Sequence, residues 1–165
     1  MRRFIFTVVA LGAAALMLLP AAFASASPTG HAAGYRGSGK TNQNGRVLLN
    51  LASSGRRVTV TVEFRVSCDS GAQYTDAVKV AGPSHPGGFR GHHLSRVKFD
   101  FTNSETGTLQ DANGNPLGAT LEIETAGNIR LDTGNAKGTI QPTLTLSNGD
   151  KCTSGNTPIT YSARF

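Results

Sequence analysis

The chain has no tryptophan, and Tyr35, Tyr74 and Tyr161 supply its only large amphipathic rings. Broad aromatic platforms are the usual means by which proteins hold flat ligands such as sugar rings. Tyr74 and Tyr161 fall on the apolar side of alternating segments, which predicts that both belong to the core. The sequence is therefore poorly supplied for sugar binding by stacking.

The common local signatures of catalysis are also missing. The chain contains no G-x-S-x-G, H-E-x-x-H or G-x-x-x-x-G-K-[ST] pattern, and these mark hydrolases, zinc peptidases and P-loop nucleotide-binding proteins. Their absence favours a protein that is not an enzyme and needs no cofactor. Asp76 interrupts the apolar side of its segment. It is either a buried acid with a shifted pKa or an acid at an edge that faces water.

Acidic residues are few, with 10 Asp and Glu against 16 Lys and Arg. Arg2 and Arg3 lie in an N-terminal segment that we expect to be removed, so 14 − 10 leaves a charge of +4. A charge of that size is ordinary for a soluble domain. Binding of nucleic acid needs basic residues gathered on one face, and we expect no nucleic-acid partner.

The N-terminus has the features of an export signal. Arg2 and Arg3 form a positive head, the mostly apolar stretch 4–19 has no charge, and Pro20 ends it. Small residues suited to cleavage follow at 22–26, and the apolar run is short for a membrane span. An uncleaved N-terminal anchor is the alternative interpretation.

These features predict the domain organisation. We expect a secretory signal peptide over 1–26, a flexible leader over 27–34 and a single all-β domain over 35–165. The mature protein would then be extracellular, with no transmembrane segment after signal removal, and we expect a monomer.

Two cysteines, Cys68 and Cys152, lie in the mature part. An even number of cysteines in an exported chain predicts a disulfide bond. Closing a loop of this length stabilises a fold by up to roughly 4–5 kcal/mol in the chain-entropy model. Two free thiols or a metal-binding pair are the alternatives, although no histidine neighbours either cysteine in the sequence.

Alternation with a period of two recurs along the mature chain, and no window shows sustained helical periodicity. The clearest strand is Arg57–Cys68, where six apolar positions alternate with polar ones. Asn-Gly dipeptides at 44–45, 113–114 and 148–149 are typical of hairpin turns. We predict an all-β fold of about eight to ten short, mostly antiparallel strands, arranged as a sandwich or a flattened barrel.

The segment 82–93 contains two prolines and four glycines, which exclude a regular central strand and predict a long irregular loop. The most site-like group in the chain lies in this segment and just after it. Its members are His85, Arg90, His92, His93, Arg96 and Lys98.

Three interpretations of this group stay open: a metal site, a basic patch for an anionic ligand or surface, and a solvated cationic loop without a partner. Two observations argue against a metal. Adjacent His92 and His93 would face opposite ways on a strand, and no carboxylate lies within the loop.

A second weak candidate is a calcium loop. Asp111, Asn113, Asn115 and Glu122 partly reproduce the spacing of hard oxygen ligands in such loops. Pro116 stands where glycine is expected, and no flanking helices are predicted. An Asn-Gly hairpin is the alternative.

Short motifs give the chain a resemblance to a known group. They are Tyr35-Arg36-Gly37, Cys68-Asp69-Ser70-Gly71, Gly138-Thr139-Ile140, Cys152-Thr153-Ser154-Gly155 and a closing strand that ends Ala163-Arg164. The chain resembles a loose group of small secreted single-disulfide β proteins of high-GC Gram-positive bacteria, mostly uncharacterised. The resemblance implies a bacterial origin and a structural cysteine pair, and it supplies no activity.

We therefore expect a secreted, non-enzymatic binding or interaction module with an extracellular or cell-envelope partner. Two alternatives stay open. One is an extracellular hydrolase-like enzyme that uses the loop histidines, and the other is a calcium-stabilised adhesion module.

Overall fold

The computed structural model of the chain describes residues 34–110 and 115–165. The predicted signal peptide and nearly all of the predicted leader lie outside them. The described residues form ten strands and no helix, which confirms the all-β prediction. The strands are β1 (Tyr35–Thr41), β2 (Arg46–Leu51), β3 (Arg57–Cys68), β4 (Gln73–Pro83), β5 (His85–Arg90), β6 (His93–Gln110), β7 (Pro116–Arg130), β8 (Asn135–Leu146), β9 (Lys151–Thr153) and β10 (Ile159–Arg164).

Two of the strands are much longer than the sequence analysis predicted. β6 has 18 residues and β7 has 15, and the whole of β7 pairs with β6 from Arg96 to Gln110. The polar stretch 102–108 has no apolar alternation that would mark a strand. It nevertheless continues β6, because its threonines suit an extended chain and its outer face meets water.

All pairings are antiparallel, and six strands close a barrel in the order β1, β2, β3, β9, β8, β10. β4 pairs with the other edge of β3, while β7, β6 and β5 continue from the other edge of β8. β4 also packs against β6, where the ring of Phe101 lies directly on Gly82. The sheet therefore curls through β4, β3, β2, β1, β10, β8, β7 and β6 until its two ends meet.

The inner face of this curled sheet holds one hydrophobic core. Apolar side chains from nearly every strand pack together there, among them Leu49, Val60, Ile123 and Ile140, each at most 2% exposed. Fully burying one such side chain contributes about 1.5–3 kcal/mol. The alternation predicted for Arg57–Cys68 is confirmed, since every even position of β3 is buried.

The predicted disulfide is also confirmed. Cys68 of β3 and Cys152 of β9 lie directly opposite each other and are bonded. Cys152 is fully buried. The bond fixes the short strand β9 to β3 at the point where it also pairs with β8.

The prediction of a long irregular loop over 82–93 is wrong. Most of the segment is strand: β4 runs to Pro83, and β5 pairs with β6 at the sheet edge. The pairing shifts register on both sides of Gly88. Prolines and glycines are tolerated at edges and bulges, so the same residues that exclude a central strand fit an edge strand.

Candidate functional site

The β5–β6 hairpin carries all six predicted site residues: His85, Lys98 and Arg96 lie toward its open end, and Arg90, His92 and His93 lie at its turn. His85 pairs directly with Lys98, and Arg90 pairs with His93. Arg96 lies opposite Gly88, and His92 occupies the turn between the strands. All six side chains are exposed. Residues spread over 14 positions of the sequence thus form one cationic hairpin.

A further cation, which was not predicted from the sequence, lies beside the outer face of this hairpin. Arg130 of β7 lies directly opposite Arg96, and its Nε is 3.6 Å from Oδ1 of Asp132. Arg130 lies 34 positions beyond Arg96, so only the register of β6 with β7 brings them side by side. The alternation of Ile129 and Leu131 was the one available signal, because it places Arg130 on a polar face.

The tip of the hairpin carries an exposed aromatic ring. Phe89 is 63% exposed, and it is the one large hydrophobic residue among those described whose side chain is mostly exposed. Arg90 follows it, and Gly91 turns the chain with φ 63°. Phe89 pairs with Leu94, whose side chain packs against the core, while Arg90 pairs with His93. Because successive residues of a strand face opposite ways, the ring of Phe89 lies on the other face of the hairpin from Arg90.

The metal interpretation of the histidines gains no support from the geometry. Among the described residues, the one group of three possible metal ligands is Cys68, Asp150 and Cys152, and it contains no histidine. Both cysteines in it are consumed by the disulfide, and the Asp150 carboxylate accepts hydrogen bonds from the N–H and hydroxyl of Ser70.

The calcium candidate is only partly within the described residues. Asp111 and Asn113 lie outside them. Asn115 immediately precedes β7, while Glu122 is on the outer face of β7 opposite Ser104. Seven residues of extended chain separate Asn115 from Glu122, which is roughly 23 Å at about 3.3 Å per residue. The structure does not bring these two side chains into one coordination shell.

Asp76 lies on the inner face of β4, which packs against β6. It is partly buried, and burial raises the pKa of its carboxyl above the usual 3.8. The N–H of Ala77 donates a hydrogen bond to Oδ1 at 2.7 Å and lowers this pKa, while the charge of Glu105 raises it. Both interpretations from sequence hold in part: the carboxyl is half-buried and its pKa is raised, and β4 pairs with β3 alone among the described strands, so Asp76 lies on an edge strand.

A shallow depression of about 170 Å³ lies where β3 meets β9. It is lined by Gln43, Arg65, Ser67, Thr153, Ser154 and Gly155. Ligand pockets typically enclose about 300–1,000 Å³, so this open depression is too small to surround a substrate. The exposed cationic hairpin is the stronger candidate site.

No family model, no curated protein and no solved structure matches the chain. No helix among the described residues is long and apolar enough to cross a membrane.

Proposed function

We propose that the protein is a secreted, non-enzymatic binding module that holds an anionic partner on the outer face of the β5–β6 hairpin. The partner would be extracellular or part of the cell envelope. The supporting observation is a cluster of three cations, Lys98, Arg96 and Arg130, with His85 directly opposite Lys98. These residues occupy neighbouring positions on three adjacent strands.

The spacing of this cluster suits an anion. Adjacent strands lie about 4.8 Å apart, and alternate residues of one strand about 6.6–6.8 Å apart. Like charges directly opposite each other destabilise a sheet, and Arg96 faces Arg130 in this way. Asp132 offsets one of these charges, while Arg96 and Lys98 have no ion pair with another described residue. A bound anion would relieve the repulsion.

Secretion is supported by the chemistry of the cysteine pair. Disulfide bonds persist in oxidising compartments, and the buried Cys68–Cys152 bond is compatible with an extracellular location. Mass spectrometry of the protein recovered from culture medium tests both points. We expect a chain that begins near residue 25 or 27 and gains two mass units on reduction; an uncleaved chain retained by the cells would contradict secretion.

The binding proposal is tested by titrating the folded protein with tripolyphosphate, a compact polyvalent anion, at several salt concentrations. Replacing Arg96 and Lys98 by serine should weaken binding about tenfold, since each exposed charge contact is worth about two- to fivefold. The matched control replaces Arg57 and Lys151, which are also exposed cations but lie on β3 and β9. Equal losses in the two variants, or no binding by the native protein, would overturn the proposal.

A further inference from the structure

The cations of the hairpin continue around the molecule on the outer face of the sheet. The strand register links one row of outward residues across seven strands, from β5 through β6, β7, β8, β10 and β1 to β2. This row consists of His85, Lys98, Asn128, Lys137, Ser162, Lys40 and Arg46. Four of its seven members are lysine or arginine, and none is acidic.

A second row runs beside the first, two residues away along each strand except β5, where the register shift makes the offset three. It consists of Gly88, Arg96, Arg130, Asn135, Arg164, Ser38 and Leu48. This row also contains no acid. Taken together, the two rows place at least one lysine or arginine on every strand from β6 to β2. We call Arg96, Lys98, Arg130, Lys137, Arg164, Lys40 and Arg46 the cationic stripe.

Acidic residues lie beside the stripe and not within it. On β6 and β7 the outward acids Asp100, Glu122 and Glu124 are farther along the hairpin, beyond the Lys98–Asn128 pair. Lys98, Lys137, Lys40 and Arg164 have no ion pair with another described residue. Two other members of the stripe have an acid beside them: Asp132 lies 3.6 Å from Arg130, and the Glu63 carboxylate accepts a hydrogen bond from the Arg46 N–H. The positive potential is therefore least compensated in the middle of the stripe, from Lys98 through Lys137 and Arg164 to Lys40.

The stripe is curved, and its curvature restricts the partner. The sheet circuit closes where β4 packs on β6, and the stripe covers six of the eight strands of that circuit. The side chains of Lys98 and Arg46, at its two ends, consequently point in different directions. A flat surface or a rigid globular partner can touch only part of such a stripe, whereas a flexible chain can follow it.

We propose that the anionic partner is a flexible linear phosphate polymer that wraps along the cationic stripe, an inference that rests on the proposed function. From β6 to β2 the stripe spans five strand steps, roughly 24 Å of contour, with neighbouring cations about 5–8 Å apart. Successive phosphates of a linear polymer can engage successive cations over this length. The forked guanidinium groups of Arg96, Arg130 and Arg164 match phosphate oxygens in pairs.

The inference is tested by comparing tripolyphosphate with long-chain polyphosphate that can span the stripe. The long chain should bind more tightly, and its affinity should fall more steeply with salt because it releases more counterions. Replacing Lys137 and Arg164 by serine should weaken long-chain binding about four- to 25-fold and leave tripolyphosphate binding unchanged. Lys151→Ser is the matched control: Lys151 pairs with Thr145 of β8, about 26 Å along that strand from Lys137.

The outcomes separate the inference from the proposed function. Equal affinities for the two probes, or no greater effect of Lys137 and Arg164 than of Lys151, would overturn the stripe and leave the hairpin site in place. Tripolyphosphate binding that does not depend on Arg96 and Lys98 would overturn both.

Vesicles rich in phosphatidylglycerol present a flat anionic surface. Vesicle binding that depends on Lys40 and Arg46 as strongly as on Lys98 would contradict the wrapped geometry.

Discussion

The side-chain amide of Gln43 binds both backbone groups of Arg65, as a neighbouring strand would. Its Nε2 donates to the carbonyl oxygen of Arg65 at 3.1 Å, and its Oε1 accepts from the Arg65 N–H at 2.8 Å. This edge of β3 is shared end to end, since β2 pairs over 58–62 and β9 over 67–68. Gln43 therefore closes the gap that the two strands leave.

Replacing Gln43 by alanine should lower the free energy of unfolding by about 1–3 kcal/mol, because each lost hydrogen bond contributes about 0.5–1.5 kcal/mol. Gln43→Glu keeps the acceptor and loses the donor, so it should fall between the native protein and the alanine variant. Urea denaturation measures the stability, and hydrogen exchange of the Arg65 amide reports the local change. Unchanged exchange at Arg65 in the alanine variant would contradict this role.

The disulfide should contribute a large part of the stability. Replacing Cys68 and Cys152 together by alanine is expected to cost about 2–5 kcal/mol, because the unfolded chain then loses the constraint of an 84-residue separation. Reductant should destabilise the native protein in urea and leave the double variant unaffected. A native midpoint that does not change under full reduction would count against this expectation.

The local features of the fold could be predicted from the sequence because they depend on near neighbours. The alternation over Arg57–Cys68 identified β3, and the turn at 44–45 follows from the tolerance of Asn44 for a positive φ, here 64°. The two cysteines allowed a single pairing. Each of these predictions needs only the chemistry of a few adjacent residues or the number of cysteines.

The stripe could not be predicted, because it depends on register between distant strands. Lys98, Lys137 and Lys40 look like isolated surface lysines in the sequence, and only the pairings through Asn128 and Ser162 align them. The hairpin cations were recognised because they are close in sequence. A one-residue slip of any strand would turn its cation to the core face, so no local pattern carries this information.

Gly138 supports the buried ring of Tyr161. Gly138 of β8 pairs with Tyr161 of β10, and a Cβ added to Gly138 would overlap both the phenol of Tyr161 and the carbonyl oxygen of Ala126. We expect Gly138→Ala to destabilise the protein by about 1–3 kcal/mol through overpacking. Gly118→Ala is the control, since its added Cβ would meet Ser147 at an ordinary 3.4 Å.

A double-mutant cycle tests the contact itself. The Tyr161 hydroxyl is buried and has no hydrogen-bond partner among the described residues, so Tyr161→Phe should cost little. Combined with Gly138→Ala, it removes one of the overlapping atoms, and the double variant should be more stable than the sum of the single effects predicts. Strict additivity in thermal denaturation would show that the strain at Gly138 comes from the atoms that Tyr161→Phe leaves in place, the ring carbon Cζ and the carbonyl oxygen of Ala126.

Asp76 should make stability depend on pH in a defined direction. Burial raises the pKa of its carboxyl above 3.8, so the folded state holds the proton more tightly than the unfolded state does. The cost of ionising Asp76 is therefore fully present above its folded pKa and disappears as the pH falls below about 3.8. Asp76→Asn removes this cost while its side-chain oxygen can still accept the Ala77 N–H.

We expect the Asp76→Asn variant to be more stable than the native protein at neutral pH and equally stable at pH 3, as measured by urea denaturation across that range. Glu105→Gln should act in the same direction through the pKa of Asp76, because Glu105 is the charge that raises it. Glu122→Gln, at an exposed position on the outer face of β7, is the control. Its stability relative to the native protein should not change between neutral pH and pH 3 in this way. A variant at Asp76 that is less stable than the native protein at neutral pH would mean that the carboxylate makes a favourable contact which outweighs its burial.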